Sequence, residues 1–284
     1  MQPFVVILRR CMAPYIVGLV LANAAGARVS LPIFDAHLHY NIEAWEYMPP
    51  DKVFALLKAN NVLGILSNSR PNEGTWKLLA HQQQDTRIVP FVRVYRDRGD
   101  YGTWFQKPEV YAHIVEQLDR EPRARGVGEF HLSGDQARHP GVEKLVALAR
   151  ERSLWLHAHV DEVGLRAMLS KHPEAKIIWA HTGFTTPISD VTDILRKHPN
   201  VIGELSYRWD VTNGSTLNAA WKAVFTQFAD RFVIGSDTWV NQRWESYSDT
   251  MGHYRTWLAQ LPAEASKKIA YENGERLFGI KLGR

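Results

Sequence analysis

The stretch FDAHLH at residues 34–39 decides how this chain folds. It closes an apolar run that starts at Leu31, so it reads as a short buried strand, on which side chains two apart point the same way. His37 and His39 therefore share a face and can bind one divalent cation together. An isolated pair of this kind fits two packed or solvated histidines equally well. Four further apolar runs weigh against that, because each ends in metal-type or acidic residues: GVGEFH (126–131), LWLHAH (154–159), KIIWAH (176–181) and RFVIGSD (231–237).

Strand-type runs are expected at 31–36, 62–67, 88–94, 126–132, 154–159, 176–181, 201–207 and 231–236, with helical apolar spacing between them, as in Val53-Leu56-Leu57 and Ile188-Val191-Ile194-Leu195. His172-Pro173 and His198-Pro199 end helices ahead of the next strand, since the residue before proline avoids the helical region. Eight strand and helix alternations are the count of a closed (β/α)8 TIM barrel, an α/β fold whose chemistry sits where the strands end. The competing open doubly wound sheet lacks its glycine-rich loop after the first strand. In the barrel, Glu129, His157, His159, His181 and Asp237 converge with His37 and His39 at one mouth.

The chain has 284 residues, 45% of them hydrophobic and 11% aromatic. That is enough for one core, and such barrels need about 250 residues. A net charge of +4 is carried by Lys and Arg scattered among acids, which gives no footprint for nucleic acid. Residues 1–27 differ from the rest. Arg9 and Arg10 precede an apolar segment at 13–25, and Ala25-Gly26-Ala27 offers a cleavage site after Ala27, with Ala24 as an alternative. A signal peptide is expected, followed by a single domain over 28–284 that is exported to the periplasm or secreted. No stable membrane anchor is expected after cleavage, since the run is shorter than the ~20 residues of a span and is broken by Pro14 and Asn23. The single cysteine, Cys11, lies in that leader. The remainder therefore has no disulfide, thiolate nucleophile or Cys-bound zinc.

The ordered set FDAHLH, IIWAHTGF (177–184), FVIGSDTW (232–239) and YENGERLFGI (271–280) resembles the amidohydrolase superfamily, in particular its small metal-dependent TIM-barrel hydrolases of the amidohydrolase 2 type, over nearly the whole mature chain. The resemblance implies a divalent metal, zinc first, that activates water. His37 and His39 match its first-strand ligand pair. Asp237 matches the aspartate that binds metal and takes the water's proton. His181 matches a histidine that binds a second ion or polarises the substrate. On the fifth strand His159 is expected as the ligand, with His157 one layer deeper. Glu129 matches the bridging carboxylate of hydrolytic DNase, which implies two ions; if it pairs with a cation such as Arg125 or Arg93 instead, one ion suffices. His131 matches nothing in the family pattern.

Arg70, Arg93, Tyr95 and Tyr207 follow strand ends and are expected to line the substrate pocket, the arginines as forks for an anionic group. The expected partner is a small molecule with an ester, lactone or amide bond, and a homo-oligomer is compatible with the chain. Two other activities fit the same residues. One is non-oxidative decarboxylation of an aromatic or unsaturated acid, which the family branch also performs; the other is a binding barrel without turnover, because this architecture hosts many functions.

Overall fold

The computed structural model describes residues 30–83 and 85–283, so the expected leader at 1–27 lies outside the described residues. Eight parallel strands follow one another around a barrel: β1 Ile33–Leu38, β2 Val62–Ser67, β3 Arg87–Val92, β4 Gly126–Leu132, β5 Trp155–Val160, β6 Ile177–Trp179, β7 Val201–Glu204 and β8 Phe232–Val233. The ring closes through a parallel bridge between Asp35 and Ile234 and the hydrogen bond from Ala36 N to Ile234 O at 2.8 Å. The expected (β/α)8 barrel is the observed fold.

Helices α1 Pro50–Ala59, α2 Glu73–Ala80, α3 Pro108–Arg120, α4 Pro140–Glu151, α5 Glu162–Lys171, α6 Ile188–Lys197 and α7 Ala219–Gln227 lie between the strands. Proline stands in the first turn of α1, α3 and α4, where its missing N–H costs no hydrogen bond. Each helix turns an apolar stripe inward, as α6 does with Val191, Ile194 and Leu195. Between the helices and the sheet lie large rings such as Trp221, Phe225 and Trp257, with Phe225 stacked on Trp257 at a centroid distance of 5.2 Å.

The last three strands are shorter than the sequence predicts. β6 stops at Trp179, β7 at Glu204 and β8 at Val233, and His181, Thr182, Phe184, Tyr207 and Asp237 then adopt left-handed backbone conformations with φ between 44° and 55°. The physical reason is that side-chain carboxylates take over amides that a ladder would use. Glu204 accepts from the N–H groups of His181 at 3.1 Å and Ser206 at 2.6 Å, and Asp35 accepts from Ser236 N at 2.9 Å.

Close packing below the mouth leaves no room for side chains at several glycines. At Gly74, on α2, an added Cβ would lie 1.9 Å from the backbone oxygen of Tyr40 and 2.8 Å from Ser69 Cβ. Neither is the end of a flexible side chain. Gly74→Ala is therefore expected to destabilise the protein by about 1–3 kcal/mol, the usual range for overpacking. Urea unfolding measures this, and an unchanged midpoint would mean that α2 shifts freely.

Candidate metal centre

Closure of the barrel sets the ends of β1 and β8 side by side. His37 Nε2 lies 3.0 Å from His39 Nε2 and 3.5 Å from Asp237 Oδ1, and His39 Nε2 lies 3.0 Å from that same oxygen. From β4, Glu129 Oε2 reaches to 3.6 Å of His37 Nε2 and 3.4 Å of His39 Nε2. Donors bound to one tetrahedral zinc at ~2.0–2.2 Å stand ~3.3–3.6 Å apart. His37, His39 and Asp237 thus offer three donors close enough to share one cation, while Glu129 groups with His37 and His181.

The imidazoles are also set in the ligand tautomer. His37 Nδ1 is 2.9 Å from Glu204 Oε2, His39 Nδ1 is 2.5 Å from the Asn68 carbonyl, and His181 Nδ1 is 3.0 Å from the Ser206 carbonyl. These oxygens only accept, so each Nδ1 donates its hydrogen and Nε2 is the nitrogen turned to the mouth. Arg93 Nη1 also comes within 2.6 Å of His39 Nδ1. The same Nη1 lies 3.1 Å from His39 Nε2 and donates to Asn68 Oδ1 at 3.0 Å. Such outer partners orient metal-binding histidines and raise their basicity.

Charge favours a cation here. Asp237, Glu129 and Glu204 are all buried. Burial works against their ionisation, but His37 and the hydrogen bonds around them hold all three carboxyls below the ordinary range, Glu129 well below it. Conversely, burial opposes a charged His37, yet Asp237, Glu204 and Glu129 raise its pKa well above the ordinary value. The excess of negative charge that favours a proton on His37 equally favours a divalent ion between the same groups.

The other expected residues separate into layers. His181 is buried, with Nε2 3.5 Å from Glu129 Oε1 and 3.9 Å from Asp237 Oδ2. His159 is half-buried and faces the mouth, with Nδ1 2.9 Å from Glu129 Oε1. His157 lies deeper, its ring 4.4 Å from that of His37 and neither nitrogen hydrogen-bonded. Burial pushes the His131 pKa down to about 3.

The expected substrate contacts fare differently from one another. Arg93, 2% exposed, is not an open fork: it donates to Glu129 Oε2 at 3.0 Å. Tyr95 is fully buried, and its hydroxyl is engaged by His131 at 2.6 Å. Neither lines an open pocket, because residues 91, 93 and 95 continue the inward face of β3 beyond its end. Arg70 donates to Tyr101 Oη at 2.7 Å and pairs with Glu43, at the edge of a cavity of about 470 Å³ that Trp239 also lines. Tyr207 is on the rim, where Trp239 Nε1 donates to its hydroxyl at 3.0 Å. Phe184 and Trp209 add exposed rings to that rim.

Sequence reasoning missed Glu204 and Asn68. Glu204 orients His37 and caps two amides, while Asn68 Oδ1 accepts from Glu129 N at 2.9 Å and from Arg93. A charge inside the apolar run Val201-Ile202-Gly203-Glu204-Leu205 was the available signal, since a fully buried carboxylate needs partners. Asn68 carried no such signal.

Several solved structures share the fold. An amidohydrolase from Burkholderia multivorans with bound zinc superimposes with a TM-score of 0.58 at 17% identity, covering 88% of this chain and 100% of that one. A probable 2-pyrone-4,6-dicarboxylic acid hydrolase from Acinetobacter baumannii gives 0.57 at 16% identity, covering 87% and 99%. A TatD homologue from Escherichia coli gives 0.59 at 16% identity, covering 88% and 98%. No curated protein matches the sequence. The model of the amidohydrolase family matches residues 34–280. With its barrel and its cluster of histidines and carboxylates, the chain belongs to the amidohydrolase family.

Proposed function

We propose that the protein is an exported metal-dependent hydrolase acting on an ester, lactone or amide bond of a small organic molecule. The observation that carries this reading is the convergence of three imidazoles, each with Nδ1 anchored and Nε2 directed inward, on two buried carboxylates at ligand spacing. His37, His39 and Asp237 hold the ion, and Glu129 extends the donor set towards His181. An all nitrogen and oxygen donor set without thiolate suits zinc. When bound, such an ion supplies Lewis acidity and lowers the pKa of a bound water towards ~7.

The protein's own groups do the rest. Asp237 turns Oδ1 to His37 and His39 and Oδ2 towards His181, so Oδ2 is the atom that takes the attacking water's proton. His181 holds Nε2 beside that oxygen, where it polarises the scissile group when protonated or binds a second cation when neutral. Glu129 presents Oε2 to the β1 histidines and Oε1 to His159 and His181, which supports a two-ion centre. The exposed rings of Phe184, Trp209 and Trp239 give a small organic substrate an apolar wall. Among the described residues no helix is long and apolar enough to cross a membrane, and export rests on the leader read in residues 1–27.

Three outcomes test this. Purified mature protein is expected to contain zinc, and chelation is expected to abolish hydrolysis of a panel of esters, lactones and amides; pyrone lactones belong in that panel because a protein of the same fold carries that name. Release of carbon dioxide from an aromatic acid, without consumption of water, would replace hydrolysis by decarboxylation. Asp237→Asn is expected to lower kcat by ~10² or more, the range for a positioned acid–base group, and near-normal turnover would remove Asp237 as the base. Glu204→Gln is expected to weaken metal binding by ~10–100-fold with the fold intact, because the His37 ring loses its charged anchor. Competition with a chromophoric chelator reads that change, and an unaltered affinity would show that Glu204 serves only the backbone.

A further inference from the structure

The cavity of about 470 Å³ at the edge of the mouth has an unbalanced charged lining, with Arg70 and Arg98 set against the single acid Glu43. Both guanidiniums donate through Nη2 to one atom, Glu43 Oε1, Arg98 at 2.9 Å. One carboxylate therefore serves two permanent positive charges. The two arginines differ in burial. Arg70 is 9% exposed, and its Nη1 donates at 2.7 Å to the hydroxyl of Tyr101, whose ring stacks on that of Tyr95 at 4.2 Å. The Arg98 side chain is 77% exposed.

This difference decides how firmly Glu43 is held. An exposed ion pair contributes at most ~1 kcal/mol, so Glu43 parts from Arg98 at little cost. Arg70 is largely removed from water and already ordered on Tyr101, so it needs an anion and loses little freedom in binding one. A carboxylate offers two oxygens to such a guanidinium fork. The cavity also adjoins the metal centre. Asn41 and Trp239 line it, two residues beyond His39 and Asp237, and two residues of extended chain span at most ~7 Å. The Asn41 amide ties these walls together: Nδ2 donates to Trp239 O at 3.2 Å, and Oδ1 accepts from Arg70 N at 2.8 Å.

We propose that Arg70 and Arg98 form a subsite for a carboxylate that the substrate carries away from its scissile bond, with Glu43 as the resident anion it displaces and Trp239 as the adjoining apolar wall. The link to a substrate rests on the hydrolase reading; the anion site itself needs no metal ion. Glu43 sets the selectivity. A carboxylate replaces it charge for charge, whereas a neutral group in its place leaves two guanidiniums unpaired. The subsite thus favours anionic esters or lactones over neutral ones.

Benzoate and its neutral isostere benzamide probe the subsite by titration calorimetry on the full chain, as purified and after chelation. Benzoate is expected to bind at least ~10-fold more tightly than benzamide in both forms. Arg70→Gln is expected to weaken benzoate ~10–100-fold, the range for hydrogen bonds to a charged group, and Arg98→Gln ~3–5-fold, the range for an exposed pair. Glu43→Gln is expected to tighten benzoate ~3–10-fold, because the competing anion is gone; a purely structural role of Glu43 does not produce that sign. If Arg70→Gln does not fold, the other two variants decide. In turnover of p-nitrophenyl esters, Arg98→Gln is expected to raise KM more for the hemisuccinate than for the acetate, and equal shifts overturn the subsite. Benzoate affinity that ignores Glu43→Gln and Arg98→Gln, or that vanishes with the ion, also overturns it and leaves the metal-dependent reading standing. Protein that holds no ion yet binds benzoate as expected overturns the metal-dependent reading alone.

Discussion

Everything at the mouth depends on the seam between β1 and β8. His37 and His39 come from the first strand and Asp237 from the end of the last, and nothing but ring closure brings them together. The seam is tied by the site's own backbone and the Thr238 hydroxyl: Asp237 N donates to His37 O at 2.6 Å, Thr238 Oγ1 to His39 O at 2.8 Å, and His39 N to Thr238 Oγ1 at 3.0 Å. Beneath them the buried carboxyl of Asp35 accepts from His37 N, Ser236 N and the Tyr247 hydroxyl. Burial raises the Asp35 pKa against these hydrogen bonds. A buried acid is costly without partners, and here its partners are the two strand ends that must meet. The group that closes the barrel also aligns the metal donors.

A second consequence concerns charge. Glu129, Glu204 and Asp237 sit in one small volume, where the Arg93 guanidinium donates to Glu129. Like charges buried close together repel strongly at low dielectric, and removing one partner of such a set leaves the others uncompensated. A dication bound there would neutralise the excess, so it would add to the stability of the barrel mouth as well as supply chemistry.

Most of the fold was legible because a parallel barrel writes its strands as buried apolar runs and its helices as amphipathic stripes. The convergence of His37, His39, Glu129, His181 and Asp237 followed from the rule that strand ends share a mouth. What escaped was set by tertiary direction. Arg93 and Tyr95 lie just past the end of β3, where alternation still turns them inward; position along the chain suggested the rim, while the pleat placed them under it. Glu204 escaped for the opposite reason, since the expected strand 201–207 ran straight through it and its role lies in ending that strand.

The shortened strands join these points. Had β6, β7 and β8 continued as regular ladders, residues 181, 207 and 237 would have pointed alternately into and out of the barrel. Left-handed conformations at His181, Tyr207 and Asp237 break that alternation and turn the chain at the mouth. Such conformations carry a cost of order 1–3 kcal/mol each and persist only where the surroundings enforce them. Glu204 and Asp35 do the enforcing, by accepting the amide hydrogens of His181, Ser206 and Ser236 that an interrupted ladder leaves free. Glu204 holds the His37 ring with the same carboxylate, so the backbone that aims His181 and the imidazole it faces are fixed by one buried acid, while Asp35 holds the turn that leads to Asp237.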